Sequence, residues 1–349
     1  MNKFITIIMK GYDKMIKVAI NGFGRIGRLV FRLMEENPAF EVVAINDLTD
    51  AEQLAYLLKY DTSHRNYRID EISYEGNDLI VKGRKIKVYA EMDPKNLPWK
   101  ELEIDEVFEC TGKFVKKDAA MAHIEAGAKK VIISAPAKGD VKTIVYNVNH
   151  DTLDGTEQII SAASCTTNCL APVCKVLNDV FGIEKGYMTT VHAYTNDQAI
   201  LDVAHKKGAK ARRGRAGAAN IVPSSTGAAS AIGLVIPEIS GKLKGSAMRV
   251  PVTDGSVVDL TLELSRNTTV EEINQAFREH ANETMGYTED PIVSSDIIGS
   301  RYGSMVDGLL TDVLEVDGKQ LVKVIAWYDN EMSYSAQMVR TAEYLGTMK

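Results

Sequence analysis

The segment from Ile16 to Asp47 constrains this chain more than any other. Ile-Lys-Val-Ala-Ile-Asn at 16–21 is short, β-branched and stopped by a glycine, which predicts a buried strand. Gly22-Phe23-Gly24-Arg25-Ile26-Gly27 follows, then an apolar-periodic stretch through Met34 that reads as a helix, then a strand over Val42–Asn46 ending at Asp47. Strand, glycine turn, helix and strand make a βαβ unit, which requires a parallel sheet. A G-x-G-x-x-G pattern alone is weak, but here it lies between strand and helix, and an acid follows at the spacing of about 20 residues that a dinucleotide site needs. Gly22 allows the tight turn, Gly24 the approach of a pyrophosphate and Gly27 the packing of helix on sheet. The helix N-terminus offers N–H donors to phosphate. Asp47 is suited to accept from ribose hydroxyls and to repel a 2′-phosphate, so the expected cofactor is NAD rather than NADP.

Further strands are expected at Val107–Cys110 and Val131–Ser134, a hairpin at Asp78–Ala90 turning on Lys82-Gly83, and a helix at Asp118–Ala126. From Ser161 the character changes. Cys165–Val180 reads as a helix and Gly186–Tyr194 as a strand, and residues 195–220 form a long Gly/Ala/Lys/Arg-rich loop of a length that is usually functional. Strands at Ala247–Val252, Val257–Ser265, Ile292–Ile298 and Leu321–Asp329 suggest an antiparallel sheet, with helices over Thr269–Glu283 and from about Glu331. The expected class is α/β: a Rossmann-type parallel-sheet domain plus an α+β domain with a mixed, mainly antiparallel sheet.

The 349 residues suffice for two domains, and a net charge of -6 without long basic runs argues against nucleic acid or an anionic membrane as partner. The basic cluster Lys206, Lys207, Lys210, Arg212, Arg213 and Arg215 is either a solvated loop or an anion site. Four cysteines, Cys110, Cys165, Cys169 and Cys174, lack the spacing and partners of a metal set, and no metal is expected. They suit thiols in a reducing cytoplasm. The apolar run within residues 1–14 is too short for a membrane span and has no convincing cleavage site, so Met15 is expected to be the natural start.

Cys165 opens a predicted helix in Ser164-Cys165-Thr166-Thr167-Asn168-Cys169, where the helix N-terminus favours a thiolate. His192 ends an apolar strand. Separately, each reads as readily as a packed core residue. Beside a nicotinamide site they acquire a joint chemistry: a thiol adds to an aldehyde, the thiohemiacetal gives up hydride, and the resulting thioester stays reactive toward phosphate.

These residues carry a family likeness. Asn21–Arg28, Ser164–Cys169, His192–Thr195, Pro223–Ala229, Arg249-Val250-Pro251 and Trp327–Glu331, in this order, resemble the glyceraldehyde-3-phosphate dehydrogenases over Met15 to Lys349. The resemblance implies oxidative phosphorylation of D-glyceraldehyde 3-phosphate with NAD, Cys165 as nucleophile and His192 as its acid–base partner. It implies a substrate-phosphate clamp of Thr195 and Arg249, and an inorganic-phosphate pocket of Ser164, Thr166, Thr226, Gly227 and Arg213. Asn330 would anchor the nicotinamide amide with Tyr334 near it. Phe23, Arg25 and Ile26 would supply backbone or packing contacts to the dinucleotide, with Thr111 and Ser134 at strand ends facing it. The implied domains are 15–164, joined by the helix at 330–349, and 165–329, assembled as a homotetramer in which the 195–220 loop meets a neighbour's cofactor site.

Three departures stand out. Ala204 replaces a proline that helps exclude NADP, Gly208-Ala209 lengthens the basic loop near Arg213, and Met332-Ser333 follows Glu331 where many members have Trp-Gly. The enzyme rival is erythrose-4-phosphate dehydrogenase, which lacks the Ser-Thr-Gly-Ala-Ala run seen here at 225–229 and the Thr195 after His-Ala-Tyr.

Overall fold

Short β-branched runs become strands and the glycine turn becomes a helix start in the computed structural model, which describes residues 15–348. The proposed N-terminal extension, residues 1–14, lies outside them. The chain divides into two compact units. One comprises the described residues up to Ile144, His150–Ala163 and the end of the chain from Met338; the other comprises Val145–Asn149 and Ser164–Gln337.

The first unit is built on nine strands: β1 (Ile16–Asn21), β2 (Phe40–Asn46), β3 (Ile72–Glu75), β4 (Asp78–Val81), β5 (Arg84–Tyr89), β6 (Glu106–Glu109), β7 (Lys130–Ile133), β8 (Lys142–Thr143) and β9 (Ile159–Ser161). Their order is β3-β4-β5-β2-β1-β6-β7-β9-β8. Pairing is parallel from β5 across to β8, with β3 and β4 as an antiparallel edge. Val18, Ile20, Val107, Phe108, Val131 and Ile132 are fully buried, as expected for parallel strands covered on both faces. The β4–β5 hairpin turns on Lys82 and Gly83, both at positive φ (50° and 76°), the backbone of a type I′ turn. Helices α1 (Arg25–Met34), α2 (Ala51–Lys59) and α3 (Lys117–Glu125) accompany the sheet. Helix α2 is not among the elements expected from the sequence. Its start is an Asp50 cap, whose side chain accepts the Gln53 N–H at 2.8 Å. Chain order reverses around β1, whose neighbours are β2 and β6, and that switch point is where α/β sheets bind ligands.

The second unit carries β10 (Ile183–Ala193), β11 (Val222–Ser225), β12 (Leu243–Val250), β13 (Ser256–Leu264), β14 (Met285–Thr288), β15 (Ser304–Val316) and β16 (Lys319–Tyr328), in the order β11-β12-β10-β13-β16-β15-β14. Four of its six pairings are antiparallel; β10–β12 and β14–β15 are parallel. Helices α4 (Cys165–Phe181), α5 (Ala228–Val235) and α6 (Val270–Glu279) pack with this sheet, and α7 (Met332–Gly346) follows β16. Thr269 and Glu272 form the capping box that starts α6.

The strand expected at Ile292–Ile298 does not form; the segment is a run of turns. Local hydrogen bonds outcompete the ladder there: the Val293 N–H goes to Asp296 Oδ2 at 2.8 Å and the Asp296 N–H to the Val293 carbonyl at 2.9 Å. The strands in that region are β14 and β15 instead. Among the described residues, no helix is long and apolar enough to cross a membrane.

Candidate active site

In the first unit the glycine turn is held by backbone. Gly22 has φ 93° and donates its N–H to the Asn46 carbonyl at 2.8 Å. A Cβ on Gly27 would lie 2.1 Å from the Gly22 carbonyl oxygen, so the helix approaches the turn too closely for any other residue. At Gly24 a Cβ would meet nothing within 4 Å, leaving the backbone open to a ligand. Asp47 reaches back: its Oδ2 accepts the Phe23 N–H at 2.7 Å while Oδ1 accepts from Thr49 N at 2.9 Å. The Phe23 ring is buried edge-on against Phe31, so only its backbone serves the turn. The Arg25 side chain pairs with Asp61. Ile26, in the first turn of α1, is half-buried.

A cleft of about 310 Å³ opens here, lined among others by Asn21, Gly22, Gly24, Asp47, Cys110 and Thr111. Beneath it lies a polar network that no local sequence pattern announces. Buried Glu109 accepts from Asn21 Nδ2, Thr111 N, Thr111 Oγ1 and His123 Nε2. His123 Nδ1 in turn accepts from Trp99 Nε1 at 3.0 Å, which fixes the Nε2–H tautomer. With four donors on two oxygens, the carboxylate is well satisfied. Ser134 donates its N–H to the Glu109 carbonyl at 3.0 Å, one strand over. The open Gly24 backbone, the helix start and the acid at the end of β2 fit a dinucleotide.

In the second unit Ser164 caps α4: its Oγ accepts the Thr167 N–H at 3.1 Å. That leaves the Cys165 and Thr166 N–H groups at the helix tip without intrahelical acceptors. Cys165, partly exposed, places Sγ 3.5 Å from His192 Nε2. The His192 Nδ1 lies 2.7 Å from the Ala193 carbonyl and 3.0 Å from Arg249 Nη1; with the two Nη1 protons on the Ala193 carbonyl and Thr195 Oγ1, Nδ1 carries a proton of its own toward Ala193, and Nε2 is bare and faces the thiol. Burial, and then the Arg249 charge, pushes the His192 pKa down to about 3. Burial also pushes the Cys165 thiol up, against the pull of Arg249 and of the Thr166 hydroxyl and N–H. The lowered thiol pKa expected from the helix start is therefore not the outcome; desolvation outweighs it, and the resting pair is a neutral thiol facing a neutral base.

Register brings the next residue in. His192 on β10 is directly opposite Arg249 on β12. Arg249 Nη1 donates to the Ala193 carbonyl at 2.9 Å and to Thr195 Oγ1 at 3.0 Å. Thr195 and Arg213 both bond to Asp197. Hydrogen bonds thus run from Arg213 through Asp197 and Thr195 to Arg249, beside the cysteine and histidine. Gly208-Ala209 lie in a local turn, with the Gly208 N–H on the His205 carbonyl at 2.8 Å. Thr226 and Gly227 take no part in that chain. They stand at the N-terminus of α5, where Thr226 Oγ1 accepts from Ala228 N at 3.1 Å.

Sequence reasoning missed Tyr328. Fully buried, its hydroxyl bridges Thr166 Oγ1 at 2.9 Å and Thr190 Oγ1 at 2.8 Å, and its ring meets His192 edge-on at 5.9 Å. It ties the cysteine's helix to the histidine's strand. Its place in the Trp327–Glu331 run was the only signal. Buried Asn330 accepts from Ser256 Oγ at 2.7 Å through its side-chain oxygen, leaving the amide nitrogen for another partner. Tyr334 is buried on α7. Asp329 caps that helix, accepting the Met332 N–H at 2.7 Å, and the Ser333 hydroxyl bonds the Asp329 carbonyl; Met332-Ser333 is a helix start.

The fold and these two centres define an NAD-dependent oxidoreductase. A family model described as the NAD binding domain of glyceraldehyde 3-phosphate dehydrogenase matches residues 16–117, and one described as its C-terminal domain matches 164–330. The chain belongs to the glyceraldehyde-3-phosphate dehydrogenase family, and NAD is its cofactor. The enzyme of that name from Clostridium pasteurianum is 62% identical over 330 residues, covering 95% of this chain and 98% of the relative. Those from Clostridium acetobutylicum and Streptococcus pyogenes are 60% and 59% identical, each over 95% of this chain and 98% of the relative.

Proposed function

We propose that this chain oxidises D-glyceraldehyde 3-phosphate to 1,3-bisphosphoglycerate, consuming inorganic phosphate. The observation that carries the reading is the 3.5 Å approach of Cys165 Sγ to the bare Nε2 of His192 at a helix tip. Cys165 Sγ adds to the aldehyde carbon while its proton passes by way of His192 to the carbonyl oxygen, giving a thiohemiacetal. The Cys165 N–H at the helix tip stabilises the oxygen as charge develops. Bound NAD supplies a hydride acceptor. As hydride leaves the carbon, His192 Nε2 takes the hydroxyl proton and a thioester remains on Cys165. Inorganic phosphate attacks the thioester carbon, the C–S bond breaks, and the thiolate recovers a proton from His192.

Thr195 and Arg249 clamp the substrate phosphate; Ser164, Thr166, Arg213, Thr226 and Gly227 receive the attacking one. Asp47, Gly22, Gly24, Gly27, Thr111, Ser134, Asn330 and Tyr334 serve the dinucleotide, with Phe23, Arg25 and Ile26 completing its turn. Residues 15–164 with the 330–349 helix are read as the cofactor domain and 165–329 as the catalytic one, although Val145–Asn149, Ser164 and residues 330–337 pack with the second compact unit. Exposed Ile200, Leu201 and Val203 on the 195–220 loop favour assembly, as a homotetramer, and the cytoplasm is the expected compartment. The test is NAD reduction with triose phosphate, with and without phosphate. Sustained turnover should require phosphate; a rate unchanged by omitting it would overturn the reading.

A further inference from the structure

Asp197 is absent from the roles assigned above, yet it holds the very donors they need. Its Oδ1 accepts the Thr195 hydroxyl proton and its Oδ2 accepts Arg213 Nη1. Thr195 has one hydroxyl proton, and its oxygen already accepts from Arg249 Nη1 at 3.0 Å. While Asp197 keeps that proton, Thr195 has none to give a phosphate. Burial pushes the Asp197 carboxyl up, but the Thr195 hydroxyl, Arg213 and Arg249 together hold it below the ordinary range, so it is ionised at neutral pH. The loop's backbone keeps it in place: the Ala199 N–H meets the Arg213 carbonyl at 3.0 Å and the Gln198 N–H the Thr195 carbonyl at 2.9 Å.

We propose that Asp197 is a displaceable carboxylate held on the donors of the anion site, and that inorganic phosphate and phosphorylated ligands compete with it for Thr195 and Arg213. This rests on the reading of those two residues as anion-binding. The carboxylate compensates the Arg213 and Arg249 guanidinium groups and keeps Thr195 oriented. It also limits anion affinity, because each incoming phosphate gives up the bonds Asp197 was making.

The test is calorimetric titration of the full-length, NAD-loaded protein with inorganic phosphate. Asp197→Asn should bind phosphate roughly tenfold more tightly than the unaltered protein. Asp202→Asn neutralises a carboxylate of the same loop that pairs instead with Arg215 at 2.9 Å and the Ala216 N–H at 3.0 Å, and should stay within twofold. Unchanged or weaker binding by Asp197→Asn, or an equal gain in Asp202→Asn, overturns the proposal. Asp197→Ser gives the same readout if the asparagine variant does not fold. The readout is equilibrium binding, whereas the functional reading is tested by phosphate-dependent turnover of the unaltered enzyme, so the two fail separately.

Discussion

The glycine turn of the first unit and the cysteine–histidine centre of the second are built by opposite means. Gly22, Gly24, Gly27 and Asp47 lie within one βαβ unit, and backbone sterics set them: a positive φ at Gly22, a carbonyl 2.1 Å from where a Gly27 Cβ would sit, an acid bonded to the Phe23 N–H. The second centre is assembled from distant segments. Strand register places Arg249 opposite His192, and one tyrosine hydroxyl joins the α4 tip to β10. A site of the first kind is sensitive to a single methyl group, whereas one of the second kind depends on pairwise contacts that are individually modest.

Chemistry and cofactor binding should therefore separate cleanly under substitution. Cys165→Ser should lower kcat by about 10⁴-fold or more while leaving the NAD dissociation constant within twofold, since no other group supplies the thioester. Steady-state rates with calorimetric NAD binding check this; ordinary turnover by the serine variant would break the assignment. Gly27→Ala should act in reverse. The added methyl forces the turn and helix apart, so NAD affinity should fall roughly a hundredfold while iodoacetamide alkylates Cys165 at the unaltered rate. Equal losses in both would mean the two centres are not independently built. Tyr328→Phe is the mildest. Removing the shared hydroxyl loses two hydrogen bonds at about 1 kcal/mol each, which should appear as a kcat lower by up to about thirtyfold with NAD binding unmoved. A kcat unaffected by that change would remove Tyr328 from the positioning of His192.

The same contrast explains what was legible in the sequence. The βαβ unit, the I′ hairpin and the start of α4 follow from local rules, so residues 16–47, 78–90 and 164–169 could be read directly. Ile292–Ile298 misled because its apolar residues are interrupted by Ser294, Ser295 and Asp296, and the Asp296 carboxylate bonds the backbone locally. The Glu109–His123–Trp99 network and the Tyr328 bridge were invisible for another reason. Each joins residues remote in the chain, and no spacing rule encodes a strand register. Asp197 was hidden by company: one acid two residues after Thr195 drew less notice than the basic cluster following it.

In the proposed mechanism Cys165 carries the acyl group as a thioester that only phosphate discharges efficiently. Rapid mixing of the NAD-loaded enzyme with triose phosphate in phosphate-free buffer tests it most directly. The expected result is a burst of one reduced NAD per Cys165, then a stall, with turnover resuming when phosphate is added. Steady NAD reduction without phosphate, or no burst at all, would contradict it.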